Sequence, residues 1–257
     1  MIRFYTHPPR GVYWPYVFTN YSKYKSLYRL DFEHAILDVG VDTWFGSRGL
    51  SDYPPGFLKK WVKLAKDLTS VFGDRIWVVI PDYCDDLIPG LCGDNVSKTL
   101  RNVEEFITID GVNWLPVIQS KFMNTFSFIE SCHRLRDIVG DYPRVAIGTV
   151  CKSRKLSWIE YCCRYARKIF PNSWVHAFGL TLSALPRVKD VINSFDSMSW
   201  SYDSPSKTLK GNPSWQRRAA KYYDGSWIKH HSEEWRRAYF KAFLERIEEI
   251  LNNKIDR

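Results

Sequence analysis

Four short apolar runs in this chain each carry a group able to move a proton or hydrogen-bond a heterocycle: Leu37-Asp38-Val39-Gly40, Val79-Ile80-Pro81-Asp82, Val117-Ile118-Gln119 and Ser194-Phe195-Asp196. A carboxylate delivered by an apolar run is costly to bury unless it is paired or put to use. Two acids in a partly dry pocket can divide the work of nucleophile and general acid/base, because their surroundings push their pKa values apart. Asp38, Asp82 and Asp196 are the acids available for that division. Gln119 offers both a donor and an acceptor, and Asp82 can accept two N–H bonds from one edge of a heterocycle, which makes these two the candidate base readers. Each has an ordinary alternative. An Asp after a strand is often a helix N-cap, worth about 1 kcal/mol. Asp82, followed by Asp85 and Asp86, fits that use, Gln119 fits a role in satisfying loop backbone, and Asp42 competes with Asp38 for the role of acid.

These groups need a scaffold that brings them together. Hydrophobic periodicity predicts strands at 2–6, 35–39, 75–80, 114–118, 145–150, 174–178 and 195–199. It predicts helices at 57–71, 96–107, 127–138 and 158–169, with a short one at 185–192. Strands alternating with helices imply parallel pairing through βαβ crossovers. Asp38, Asp82, Gln119, Gly148, Phe178 and Asp196 then fall at strand C-terminal ends, the face on which a parallel barrel gathers its site. Seven strands are placed and an eighth is not. The opening thirty residues are rich in Tyr and broken by Pro8, Pro9 and Pro15. No Gly-rich dinucleotide fingerprint follows any strand, which disfavours an open doubly wound sheet. The expected fold is α/β, an irregular (β/α)8 TIM-like barrel with a C-terminal helical extension. A single domain spans 1–257, with the motifs in 34–200 and a basic aromatic loop and terminal helix in 201–257. Ser232-Glu233-Glu234 opens that helix, and its stripe of Trp235, Ala238, Tyr239, Ala242, Phe243, Ile247 and Ile250 is expected to pack on the barrel exterior.

The formal net charge of +9 favours a polyanionic partner such as nucleic acid. Trp200, Lys207, Lys210, Arg217 and Arg218, together with Tyr202, follow the last acid and are the candidate nucleic-acid-binding residues; an ordinary solvated loop is the alternative. The six cysteines show no CxxC pair, and the N-terminus does not resemble a signal peptide, so a cytoplasmic protein with reduced thiols is expected. No apolar stretch reaches the roughly 18 residues needed to span a bilayer, and no membrane partner is expected.

Taken in order, the motifs resemble the tRNA-guanine transglycosylase superfamily, including its small relatives that insert 7-deazapurines into DNA. Leu37-Asp38-Val39-Gly40 is similar to the family's Asp-Ser-Gly element, whose Asp handles the proton at the purine. Asp82 and Gln119 look like the acid and the glutamine that read the base, and Gly148 in Ala146-Ile147-Gly148-Thr149 like the glycine whose backbone lines that pocket. His176-Ala177-Phe178-Gly179 resembles the His-Leu-Phe-Gly stretch of archaeal members, which puts His176 and Phe178 among the expected base-binding residues. Phe195-Asp196-Ser197 resembles the element that carries the nucleophile. The resemblance implies that Asp196 attacks C1′ of a guanosine or deoxyguanosine while Asp38 protonates the departing guanine, and that a 7-deazaguanine then takes its place.

The chain departs from the family pattern in three ways. The usual Cys-x-Cys-x-x-Cys…His zinc cluster is missing, since no Cys follows Cys163, and His230 and His231 alone cannot make a four-ligand structural site. Neither a cofactor nor the structural zinc is therefore expected. A counterpart to the appended tRNA-binding domain of archaeal members is not expected, which leaves DNA ahead of tRNA as the expected partner beside the 7-deazaguanine base. Asp42 stands where many bacterial members carry an aromatic, with Trp44 and Phe45 as candidate replacements for the stacking surface. Two other readings stay open: a glycosylase or nucleoside hydrolase in which water resolves the glycosyl-enzyme, and a non-catalytic nucleic-acid-binding barrel. The aromatic terminal helix leaves a homodimer open as well.

Overall fold

The computed structural model describes residues 2–202, 218, 222 and 233–252 of the 257. It is an α/β fold, and the strands among the described residues are all parallel. One sheet has the order β1-β9-β8-β7-β6 and the other β2-β3-β4-β5. The strands are β1 (Arg3–Tyr5), β2 (Tyr16–Asn20), β3 (His34–Asp38), β4 (Ile76–Val79), β5 (Trp114–Leu115), β6 (Val117–Ile118), β7 (Arg144–Ile147), β8 (Trp174–Ala177) and β9 (Ser194–Asp196).

Two links join the sheets. Thr6 bridges to Val17 in parallel, with Thr6 N–H donating to Tyr16 O and Phe18 N–H to Thr6 O. On the other side β5 and β6 are one extended stretch interrupted at Pro116, which has no N–H to give to a ladder. Before the proline this stretch pairs with β4, and after it with β7; Pro116 O accepts from Ala146 N–H at 2.8 Å.

The strand absent from the sequence reading is β2. Pro15 ends just before it and fixes the entry by accepting from Glu33 and His34 N–H, so a residue read as a breaker serves as a strand start. The predicted strand at 195–199 is shorter than expected, because the chain leaves β9 at Asp196 and turns into a helix, Ser199–Tyr202.

Alternation along the strands divides the core in two, as the two-residue period of a strand requires. Ile36, Val79, Leu115, Val117 and Ala146 pack with Tyr5 and Phe178 on one face. Ala35, Leu37, Ile76, Val78, Val145 and Val175 face the helices on the other. The helices are α1 (Phe57–Phe72), α2 (Asn95–Phe106), α3 (Thr125–Val139) and α4 (Leu156–Ile169). Asp94 and Asn124 cap α2 and α3 through Ser97 and Ser127 N–H. The terminal helix Glu233–Leu251 buries the expected stripe together with Phe240. Phe243 packs on Phe4, and Phe240 on Trp14 and Trp200. Among the described residues no helix is long and apolar enough to cross a membrane.

Candidate active site

Parallel strands all finish on one face, and there the loops enclose a cavity of about 270 Å³, close to the ~300 Å³ lower end of small-molecule sites. Asp38, Asp82, Gln119, Gly148, Phe178 and Asp196 all line it. Asp38 and Asp196 are the last residues of β3 and β9, while Gln119, Gly148 and Phe178 directly follow β6, β7 and β8. Asp82 stands three residues past β4 on a tightly held segment. Tyr53 OH donates to its backbone oxygen at 2.7 Å and Asn102 Nδ2 to Pro81 O at 2.7 Å.

The two base-reading candidates touch. Gln119 Nε2 donates to Asp82 Oδ2 at 2.6 Å, and both side chains are buried. Gln119 Oε1 is buried and has no hydrogen-bond partner among the described residues. A buried, unpaired carbonyl oxygen costs about 1–3 kcal/mol, and a ligand N–H would satisfy it. Burial lifts the Asp82 carboxyl to about 7, with the charge of Asp86 adding to it and the Gln119 bond opposing.

Asp38 differs. Burial pushes its carboxyl well above the usual range, and the charge of Asp82, then those of Asp196 and Asp42, push the same way. The Gly40 N–H, 2.9 Å from Asp38 Oδ2, pulls downward without prevailing. Asp38 is thus driven toward its protonated form, the form able to give a proton away.

Asp196 is 6% exposed, and two nitrogens are within hydrogen-bond reach of a single one of its oxygens. His176 Nε2 lies 3.2 Å and Gly179 N–H 3.0 Å from Oδ1. Among the described residues nothing hydrogen-bonds Oδ2. Gly179 reaches Oδ1 from a left-handed backbone, φ +57°, and a Cβ there would stand 2.5 Å from Cys151 Sγ and 2.9 Å from Cys151 O. Only glycine fits that approach.

Several expectations are corrected. His176 does not line the cavity; it is fully buried beneath Asp196, with Nδ1 2.9 Å from Ser194 Oγ, and cannot read a base. Trp200 is no surface for a strand. It is 3% exposed, its Nε1 donates to Thr6 Oγ1 at 2.9 Å, and it packs on Phe240. Trp44 and Phe45 are buried against Phe57, Tyr53 and Tyr83, so neither offers a stacking face. Arg218 forms an ion pair with Glu249 at 2.7 Å. Lys207, Lys210 and Arg217, like His230 and His231, lie outside the described residues, as does the side chain of Tyr202.

Other wall residues escaped the sequence reading. Phe18, on the unpredicted β2, lines the cavity with Phe178 in an edge-on pair 6.0 Å apart. Its signal was the alternation of Tyr16-Val17-Phe18-Thr19-Asn20. His7 and Lys23 also line the wall. Asp42 is in the wall too, where Lys152 Nζ holds its carboxylate at 3.0 Å. The two cavity thiols, Cys84 and Cys151, are pushed up by burial first and by nearby carboxylates second, so neither is a thiolate near neutral pH. Among the described residues no group of three or more His, Cys, Asp or Glu is arranged to hold a metal ion.

The site therefore combines an acid driven toward its protonated form, an acid with one anchored and one open oxygen, and a linked carboxyl–amide pair with an unfilled acceptor. No family model matches this chain, and no curated protein matches it.

Proposed function

We propose that this protein exchanges guanine for a 7-deazaguanine base in nucleic acid, DNA ahead of tRNA, through a covalent Asp196-glycosyl intermediate. The scaffold in this reading is a (β/α)8 TIM-like barrel. The Thr6–Val17 bridge and the continuity of β5 and β6 through Pro116 support eight strand positions closing on themselves, with the site at their C-terminal ends. The observation that carries the reading is the unequal pair of acids in one cavity: Asp38 driven toward its protonated form, and Asp196 with one oxygen tied back and the other open.

Asp196 Oδ2 attacks C1′, the C1′–N9 bond breaks, and its electron pair leaves with guanine, which takes the proton of Asp38. The incoming 7-deazaguanine gives its N9 proton to the Asp38 carboxylate. Its N9 attacks C1′, and Asp196 departs as carboxylate. Two displacements retain the anomeric configuration, the logic of retaining glycosidases. Asp82 accepts the N–H groups of the purine edge, and the open Gln119 Oε1 supplies a further acceptor. Phe18 and Phe178 form the apolar wall. The target nucleotide must leave its stack to reach such a cavity, and the net charge of +9 suits a polyanion. Co-location of both acids in a recessed cavity favours catalysis over a purely binding role, since a surface meeting phosphates gains nothing from three carboxyls.

The test is mass spectrometry of nucleosides from DNA and tRNA, each incubated with the protein and a 7-deazaguanine base. A deazapurine nucleoside that depends on Asp196, absent with Asp196→Ala, is the expected result and identifies the polymer. Release of free guanine without incorporation would replace the transferase with a hydrolase. No release and no incorporation would overturn both.

A further inference from the structure

We infer that His176 is a positioning residue, the last link of a directional hydrogen-bond chain from Trp174 through Ser194 that ties back Asp196 Oδ1 and turns Oδ2 toward the cavity. The inference rests on the proposed role of Asp196 as nucleophile. The chain is written in the sequence as two short patterns on neighbouring parallel strands, Trp174-Val175-His176 on β8 and Ser194-Phe195-Asp196 on β9. His176 and Ser194 are register partners. Residues two apart on a strand share a face, so all four side chains stand on the same side of the sheet.

The direction of the chain follows from what each group is able to donate. Indole Nε1 is a donor only. Trp174 Nε1 lies 2.7 Å from Ser194 Oγ, so the serine oxygen accepts there. The serine keeps one O–H to give and a second lone pair, so the direction at His176 Nδ1, 2.9 Å away, is set from the far end, where a carboxylate Oδ1 of Asp196 can only accept. That places the ring proton on Nε2, facing Oδ1 at 3.2 Å, and in a neutral imidazole leaves Nδ1 bare to accept the serine O–H. Gly179 N–H brings the second donor to the same oxygen. Both donors suit a carboxylate and leave Oδ2 as the open acceptor.

The imidazole is also fixed in its plane. Tyr5 meets it edge-on at 5.6 Å and Phe178 at 4.8 Å, and neither His176 nor Ser194 has any exposed surface. A ring without access to the cavity has no contact with a substrate, so its effect passes through Asp196 alone. Positioning of this kind is worth much in a displacement, since a misplacement of about 1 Å can cost on the order of 10²-fold in rate.

Two measurements on the intact protein test this. The first is ¹⁵N NMR of the protein labelled in histidine, which reports the proton on each ring nitrogen without reference to any reaction. A protonated Nε2 and bare Nδ1 on His176 are expected, and a mixture of tautomers in Ser194→Ala. A proton on Nδ1 in the wild-type protein overturns the chain. The second is the single-turnover rate of covalent adduct formation on guanine-containing DNA and tRNA. His176→Phe, which keeps the ring and removes the donor, is expected to slow the adduct by roughly 10- to 100-fold with unchanged affinity for free 7-deazaguanine. His176→Gln, which returns an N–H, is expected to recover most of the rate. Wild-type adduct rates in a folded His176→Phe overturn the positioning role. Absence of any adduct with the wild-type protein overturns the transglycosylase reading and with it this role, whereas the wrong tautomer in a protein that does form the adduct overturns the chain alone.

Discussion

A Cβ at Gly148 would fall 2.1 Å from Gln119 Nε2, so the amide that reaches Asp82 occupies the space where any other residue would carry its side chain. Val117 Cγ1 would be 2.8 Å away on the same side and leaves little room for retreat. Gly148 therefore serves the site by what it lacks.

Gly148→Ala should cost about 1–3 kcal/mol of stability from overpacking and weaken the binding of 7-deazaguanine, because Gln119 must swing away from Asp82. Thermal melting and calorimetry measure the two effects. Unchanged base affinity in a folded Gly148→Ala protein would separate Gln119 from base recognition.

Asp82 gives a prediction with a definite sign. Its carboxyl rises from 3.8 to about 7 on folding. The folded state therefore holds a proton that the unfolded chain has already lost, and stability declines as pH rises across that interval, by at most about 1.4 kcal/mol per pH unit. Asp82→Asn keeps an acceptor for Gln119 and cannot ionise. It should melt higher than the wild type at pH 8, with the advantage vanishing near pH 4, while base affinity falls. A difference in melting that is flat with pH would contradict the assignment.

Asp38→Asn removes the transferable proton but leaves an oxygen for the Gly40 N–H. Guanine release should slow by on the order of 10²–10⁴-fold, the usual worth of a general acid, with no loss of stability, because a carboxyl raised by burial and by neighbouring charge opposes the fold. Undiminished release in a single-turnover assay would pass the role of acid to another group, with Asp42 the first to test.

Trp200→Ala should destabilise by about 3–5 kcal/mol, the cost of truncating a buried aromatic, and Trp200→Phe by about 1 kcal/mol through the lost bond to Thr6. Denaturant unfolding measures both. If Trp200→Ala instead left stability intact and lowered affinity for single-stranded nucleic acid, the residue would be a stacking surface after all.

Much of the site was legible because strand-end residues announce themselves in one dimension: an apolar run that finishes on Asp or Gln fixes both the face and the height of that side chain. Height is also where the reading of His176 failed. His176 and Phe178 share a face, but two residues of strand separate them by about 6.6 Å along the strand, enough to put one in the cavity wall and the other beneath it. Phe18 was missed with its whole strand, because Pro8, Pro9 and Pro15 read as breaks and β2 shows only the half-buried alternation of five residues. Trp200 was misread because the turn after Asp196 is tertiary in origin; Thr6, far away in sequence, draws the indole inward.

The pairing of β1 with β9 has a consequence for how the molecule comes together. Tyr5 is the register partner of Asp196, and Thr6 Oγ1 donates to Ser197 O across 191 positions of sequence. Contacts that distant form late, since the entropy of closing so long a loop is spent before the pairing returns anything. β9, the strand that carries Asp196, thus gains its second neighbour only as the fold completes. Partly folded forms, however much helix and strand they have gained, are expected to lack this wall of the cavity until β1 arrives beside β9.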